Sequence, residues 1–151
     1  MRSIAGSYRK VRSTDTANGW FNYVALCPCS DSEVLVKVGI STIPYDRLYT
    51  IHSNSPYPVE LAYFNMAGTK KRALAIERGI LNAFAEFKTR GEWLKLDSSP
   101  VTKKRFANLC ADTIKAVTKV PPDWRKATGS QIREAGLMKL GNAFGLAPPG
   151  S

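Results

Sequence analysis

Tyr23, Lys37 and Arg47 are the residues whose types and spacing invite a chemical reading first. They put a phenol, an ammonium and a guanidinium into one short stretch, and the planar fork of a guanidinium matches the non-bridging oxygens of a phosphate. Glu77 stands further on, flanked on its helical face by Ala73, Leu74, Ile80 and Leu81, one turn before and one turn after it. A carboxylate in such company is partly desolvated and costly without a cation. Two partners would satisfy it: a Lys or Arg in an internal salt bridge, which the helix alone favours, or a divalent metal ion. Gly39, between Lys37 and Arg47, also has two readings. One is a strand-to-helix corner that needs positive φ. The other is close approach of a phosphate to the backbone at a helix N-terminus.

The elements that must position these residues follow from local pattern. Residues 19–26 and 34–40 are rich in β-branched and aromatic types and read as strands. The gap between them holds Pro28, Ser30, Asp31 and Ser32, which are turn formers, so the pair reads as a β-hairpin. Ser41-Thr42-Ile43-Pro44 then opens a helix, with a hydroxyl as N-cap and proline in the first turn. That helix carries Arg47, Leu48 and Ile51, and residues 52–56 read as a loop containing His52, the one histidine. Residues 59–64 form a third strand. A long helix over 69–87 follows, with Ala73, Ile76, Ile80, Phe84 and Phe87 as its apolar stripe. Lys70, Lys71 and Arg72 crowd its N-terminus, against the helix dipole, an arrangement that suits either contact with phosphate or a solvated cluster.

Residues 92–96 read as a short strand or edge segment, with Trp93 as a core residue. Ser98-Ser99-Pro100 caps an amphipathic helix whose buried stripe is Phe106, Leu109, Cys110, Ile114 and Val117. Lys103, Lys104 and Arg105 lie largely off that stripe. Val120-Pro121-Pro122 stops it. Residues 131–144 suggest a last short helix with Leu137, Leu140 and Phe144 as apolar spots, a reading that its glycines weaken. The fold class expected is α+β: a small mixed or antiparallel three-stranded sheet flanked by helices, with a helical C-terminal extension. The organisation expected is a basic flexible arm over 1–18, a core domain over 19–97, and the extension over 98–151 packing on it.

Charge narrows the partners. The 151 residues include 22 Lys and Arg against 12 Asp and Glu, a formal net charge of +10, and 44% are hydrophobic, enough for a real core. Such a balance points to a polyanion, DNA above all, with RNA the other polyanion a basic surface admits. Three cysteines, Cys27, Cys29 and Cys110, make no disulfide framework, and Cys27-Pro28-Cys29 is too close for a zinc knuckle. An odd count suits a reducing cytoplasm. Residues 1–20 have no continuous apolar core of the signal-peptide kind, and no run reaches membrane-spanning length.

In order, Tyr23-Val24-Ala25, Lys37-Val38-Gly39, Arg47, Glu77 and Gly91-Glu92-Trp93-Leu94 resemble the GIY-YIG endonuclease superfamily, most closely its phage-associated branch. The resemblance runs from about Trp20 to Asp97. Lys37 falls where many members have tyrosine and that branch often has lysine. Two positions differ: the first motif reads Asn22-Tyr23 in place of glycine-isoleucine, and Leu81 stands where many members of the branch carry histidine.

The resemblance implies a metal-dependent DNA endonuclease. Tyr23 would be the general base or part of a proton relay. A phenol, with its ordinary pKa of about 10, needs nearby cations for that role, and Lys37 and Arg47 could supply them. Arg47 would hold the non-bridging oxygens. Glu77 would hold a single Mg²⁺ or Mn²⁺ that keeps several waters and binds well only with DNA present. Gly39, His52, Lys70, Lys71, Arg72, Lys103, Lys104 and Arg105 are the candidate nucleic-acid contacts, with His52 either a surface residue or an accessory proton shuttle. The alternative is the same fold with one part lost: a catalytically inactive nucleic-acid-binding protein, for instance one that acts in phage takeover of a host.

Overall fold

The computed structural model describes residues 19–90 and 93–143, with the side chains of 140–143 excepted. The expected arm over 1–18, the Gly91-Glu92 part of the fifth motif, and the expected apolar positions Leu140 and Phe144 lie outside what is described.

The hairpin forms first in the chain. Strand β1 (Trp20–Pro28) and strand β2 (Glu33–Ser41) pair antiparallel, with Tyr23 opposite Gly39 and Ala25 opposite Lys37. Its turn is closed by the Ser30 hydroxyl, which accepts from the Glu33 amide at 3.1 Å. Helix α1 (Pro44–Asn54) follows, then β3 (Leu61–Gly68), helix α2 (Lys70–Ala83), a 3-10 turn (Ala85–Phe87), β4 (Trp93–Asp97), helix α3 (Pro100–Thr118), β5 (Arg125–Thr128) and helix α4 (Gly129–Ala143). Among the described residues the strands make one five-stranded antiparallel sheet in the order β4-β2-β1-β3-β5.

The class is the α+β one expected, but the sheet has five strands where three were expected. The segment at Trp93 is a full edge strand, paired to β2 with Trp93 opposite Lys37. Strand β5 has no apolar alternation to announce it: Arg125, Lys126 and Thr128 are exposed, and Ala127 alone is buried, opposite Ala62.

Alternation along the strands sorts side chains onto two faces. Val24, Val34, Val36, Val38, Leu94 and Leu96 form one core with Ala73, Ile76 and Ile80 of α2 and Phe106, Cys110 and Ile114 of α3. Tyr23, Ala25, Cys27, Ala62 and Phe64 form the other with Leu48 and Ile51 of α1 and Ile132 of α4. The sheet is thus the middle of three layers. Asn22, 1% exposed, ties the α2 layer down by donating to the carbonyl of Ala73 at 2.9 Å.

Several boundaries differ from those the sequence suggests. Helix α1 has Ile43, not a hydroxyl residue, as its N-cap; the Ser41 hydroxyl instead accepts the Ile43 amide at 2.9 Å, one step upstream. The same helix continues through His52 and Asn54, which read as loop. Strand β3 begins at Leu61, later than expected, and runs on through Asn65, a polar residue that is buried because its Oδ1 accepts the Asp123 amide at 2.7 Å. The long helix stops at Ala83, and the tighter turn after it brings Phe84 against Phe87 at 5.4 Å and Phe106 at 5.1 Å. The cap expected at Ser98-Ser99-Pro100 does form, Ser99 accepting from the Thr102 amide at 3.2 Å, and Thr69 caps α2 in the same way, accepting from the Arg72 amide at 3.2 Å. Gly136 permits helix–helix packing rather than weakening α4, since a Cβ there would collide with the Tyr49 ring of α1.

Candidate functional site

The site is built from the middle of the hairpin outward. Tyr23 on β1 points to the α1 face, and its phenol ring lies across Gly39 on β2. A Cβ built on Gly39 would come within 2.8 Å of Tyr23 Cε2 and closer still to the phenol oxygen. Gly39 is therefore neither at a strand-to-helix corner nor in the positive-φ region; it lies inside β2, and glycine is needed there because the tyrosine ring occupies the space a side chain would fill.

Helix α1 brings Arg47 over the same spot. Its Nε donates to the Tyr23 hydroxyl at 3.3 Å. Arg47 is otherwise exposed, and among the described residues its terminal nitrogens make no hydrogen bond or ion pair. Two residues before Gly39, on the same face of β2, lies Lys37, 8% exposed, its ammonium 5.8 Å from the centre of the Trp93 ring. That separation is within cation–π range. Ala25, opposite Lys37 on β1, is small enough to leave room for the long side chain.

Lys37 and Arg47 open onto a cleft of about 280 Å³ whose walls include Thr50, Ile51, Asn54 and Trp93. None of its described lining residues is acidic. Two cations on the wall, with no carboxylate among the described lining residues, suit the approach of an anion, and the Tyr23 hydroxyl lies behind Arg47.

Four of the residues singled out from sequence, Tyr23, Lys37, Gly39 and Arg47, are thus together on one face. Glu77 is buried at 7% exposure on α2, the helix that covers the opposite face with Ala73, Ile76, Ile80 and Leu81. Lys70, Lys71 and Arg72 are also on α2. Lys71 and Arg72 are exposed, while the Lys70 ammonium lies 5.3 Å from the Trp20 ring. Lys103 and Lys104 are exposed on α3. Arg105 beside them pairs with Glu86 at 3.2 Å and stacks over Phe84 at 4.6 Å, so part of its charge is already matched. His52 is half-buried, its Nδ1 accepting the Val59 amide at 3.1 Å, and it lines a separate cavity of about 390 Å³ with Pro28 and Arg133.

Sequence reading passed over Thr50 and Asn54 as lining of this cleft; Trp93, expected in the core, is half-buried against it and also lines the cleft. The signal was available: Thr50, Ile51 and Asn54 follow Arg47 at three, four and seven, which is one side of a helix.

Among the described residues no group of three His, Cys, Asp or Glu gathers as metal ligands. Glu77 is an oxygen donor of the hard type that Mg²⁺ and Mn²⁺ prefer. One carboxylate fits a divalent ion held jointly with a phosphate and water, and does not fit a preformed metal centre. Cys27 and Cys110 are not candidates for reactive thiols at the site. Burial pushes Cys27 up to about 11 and Cys110 up to about 12.

Comparison with known families agrees with this picture at a coarser grain. The chain belongs to the T5orf172 domain family, whose model matches residues 21–117. That is a phage-associated domain of nuclease-like or DNA-binding type. The matched span runs from β1 into α3 and so contains Tyr23, Lys37, Gly39, Arg47 and Glu77. No curated protein and no solved structure matches the chain. No helix among the described residues is long and apolar enough to cross a membrane.

Proposed function

We propose that the chain is a metal-dependent endonuclease that hydrolyses DNA phosphodiester bonds in the manner of the GIY-YIG enzymes. The observation that carries the reading is the hydrogen bond from Arg47 Nε to the Tyr23 hydroxyl, made over a glycine and beside a cleft that also holds Lys37.

Each residue then has a task. Arg47 uses Nε to orient the phenol and keeps its terminal nitrogens for two non-bridging oxygens of the scissile phosphate. Tyr23 orients the attacking water and accepts or relays its proton, helped by the positive charge of Arg47 and Lys37. Lys37, held by Trp93, adds charge that stabilises the crowded pentacoordinate state more than the starting diester. Glu77 would hold Mg²⁺ or Mn²⁺, an ion that when bound together with DNA would neutralise phosphate charge. Lys71, Arg72, Lys103 and Lys104 would attract the phosphate backbone from a distance rather than touch the cleaved bond.

A second reading, a DNA-binding module without cleavage, is favoured by two observations: Tyr23 is only 1% exposed, and the helix bearing Glu77 packs on the other face of the sheet. Incubation of the pure protein with supercoiled plasmid, with and without Mg²⁺ or Mn²⁺, separates the two. Nicked or linear product that requires the metal supports the nuclease. Retarded but intact plasmid under every condition supports the binding module.

A further inference from the structure

We propose that the cleft beside the Tyr23–Arg47 pair seats one unpaired nucleotide, so that the preferred substrate is DNA with an unpaired base at or next to the cleaved phosphate. The inference rests on the reading of Lys37 and Arg47 as the phosphate end of the site.

The length of the seat is set by α1. Arg47 and Asn54 lie on one side of the helix, seven residues apart, which is about 10 Å along the axis at 1.5 Å per residue. That is on the order of the reach of a single nucleotide from its phosphate to the far edge of its base.

The lining carries the kinds of group a nucleotide needs. Lys37 and Arg47 are cations. The half-buried indole of Trp93, the buried Ile51 and the ring of Pro56 are flat or apolar surfaces suited to a sugar and a base face. Asn54, the last residue of α1, is exposed, with an amide that makes no hydrogen bond among the described residues. An amide offers a donor and an acceptor side by side, the pattern that reads a base edge. Thr50 donates its hydroxyl proton to the Asp46 carbonyl at 3.1 Å, which leaves its oxygen able to accept. A base already outside a helix costs less to place here than one that must first leave its pair and stack, and that difference is the source of the preference.

The test is a metal-free anisotropy titration of two labelled DNAs at one salt concentration: a fully paired duplex, and the same duplex with one extra unpaired nucleotide. Base stacking and edge contacts of this kind predict binding of the second tighter by about tenfold or more. Asn54→Leu and Trp93→Leu should each bring the ratio of affinities toward one, with circular dichroism confirming the fold of each variant. Asn54 is exposed, so its variant keeps the test sound if the Trp93 variant unfolds. A ratio of one in the wild-type protein, or a preference that Asn54→Leu leaves untouched, overturns the proposal. Metal-dependent cleavage of paired DNA with a ratio of one overturns the seat and leaves the nuclease standing. Failure to bind either DNA overturns both.

Discussion

The Tyr23 phenol accepts a hydrogen bond from Arg47 Nε at 3.3 Å while its ring lies over Gly39, the only residue of β2 without a side chain. The strand pair, the glycine and the first helix thereby fix one hydroxyl and one guanidinium relative to each other.

The first consequence concerns Gly39. A methyl group added there meets the tyrosine ring, and either the ring or the strand must give. Overpacking of this kind costs about 1–3 kcal/mol. Gly39→Ala should therefore lower the melting temperature. In a double-mutant cycle with Tyr23→Ala the two losses should be less than additive, because the second change removes what the first collides with. Strict additivity in thermal or denaturant melts would mean that the ring is not over the glycine.

Glu77→Gln tests the proposed metal role while keeping the shape of the side chain. Metal-dependent cleavage should disappear, and DNA affinity should hold or rise because a negative charge is gone. A variant that cuts at the wild-type rate would remove Glu77 from the metal site. Loss of folding cooperativity in its melt would identify the carboxylate as half of a structural ion pair.

DNA binding should depend steeply on salt. Neutralising phosphates releases condensed counterions, so affinity should fall by at least about 100-fold between 50 and 200 mM salt. A flat dependence in the same range would mean that the net charge of +10 plays no part in binding.

The thiols give a pH prediction that is independent of function. Cys27 and Cys110 are raised in the fold, to about 11 and about 12, because burial disfavours the thiolate. The folded state therefore holds these protons more tightly than the unfolded state, whose thiols titrate near the ordinary value of 9.0. Their contribution to stability is intact below that value and is lost as pH rises through the folded values. Denaturant melts should show stability declining above pH 9, and a thiol reagent at pH 8 should label both residues only on unfolding. Rapid labelling of Cys27 or Cys110 in the native protein would contradict the burial described.

Much of this arrangement can be read without coordinates. The β-branched runs around Tyr23 and Lys37 and the Pro44 helix start are local signals, and local signals placed Arg47 close to the hairpin. What failed to show was whatever depends on register or on distant packing. Gly39 looked like a corner, because only the cross-strand match with Tyr23 reveals what its missing side chain makes room for. Asn54 looked like loop, since Ser53 and Asn54 favour turns and the helix is carried through them by burial of Leu48 and Ile51. Strand β5 was hidden by Arg125 and Lys126, whose side chains face solvent at the sheet edge. Lys37 could be seen as a charged residue in a strand, but its contact with Trp93 depends on β4 pairing with β2.

The most direct measurement is single-turnover cleavage of a short duplex by Arg47→Lys and Tyr23→Phe, each beside a binding titration at the same salt. Lysine keeps the charge of Arg47 but loses the planar donors that meet the phenol and, in the proposed reaction, would meet the phosphate, and phenylalanine keeps the ring over Gly39 but loses the hydroxyl. In that reaction both changes would act on the transition state more than on the bound ground state. The account predicts a rate lower by about two to three orders of magnitude for each, the usual loss for one such donor, with DNA affinity nearly unchanged. Wild-type rates in either variant, or equal losses of rate and affinity, would contradict it.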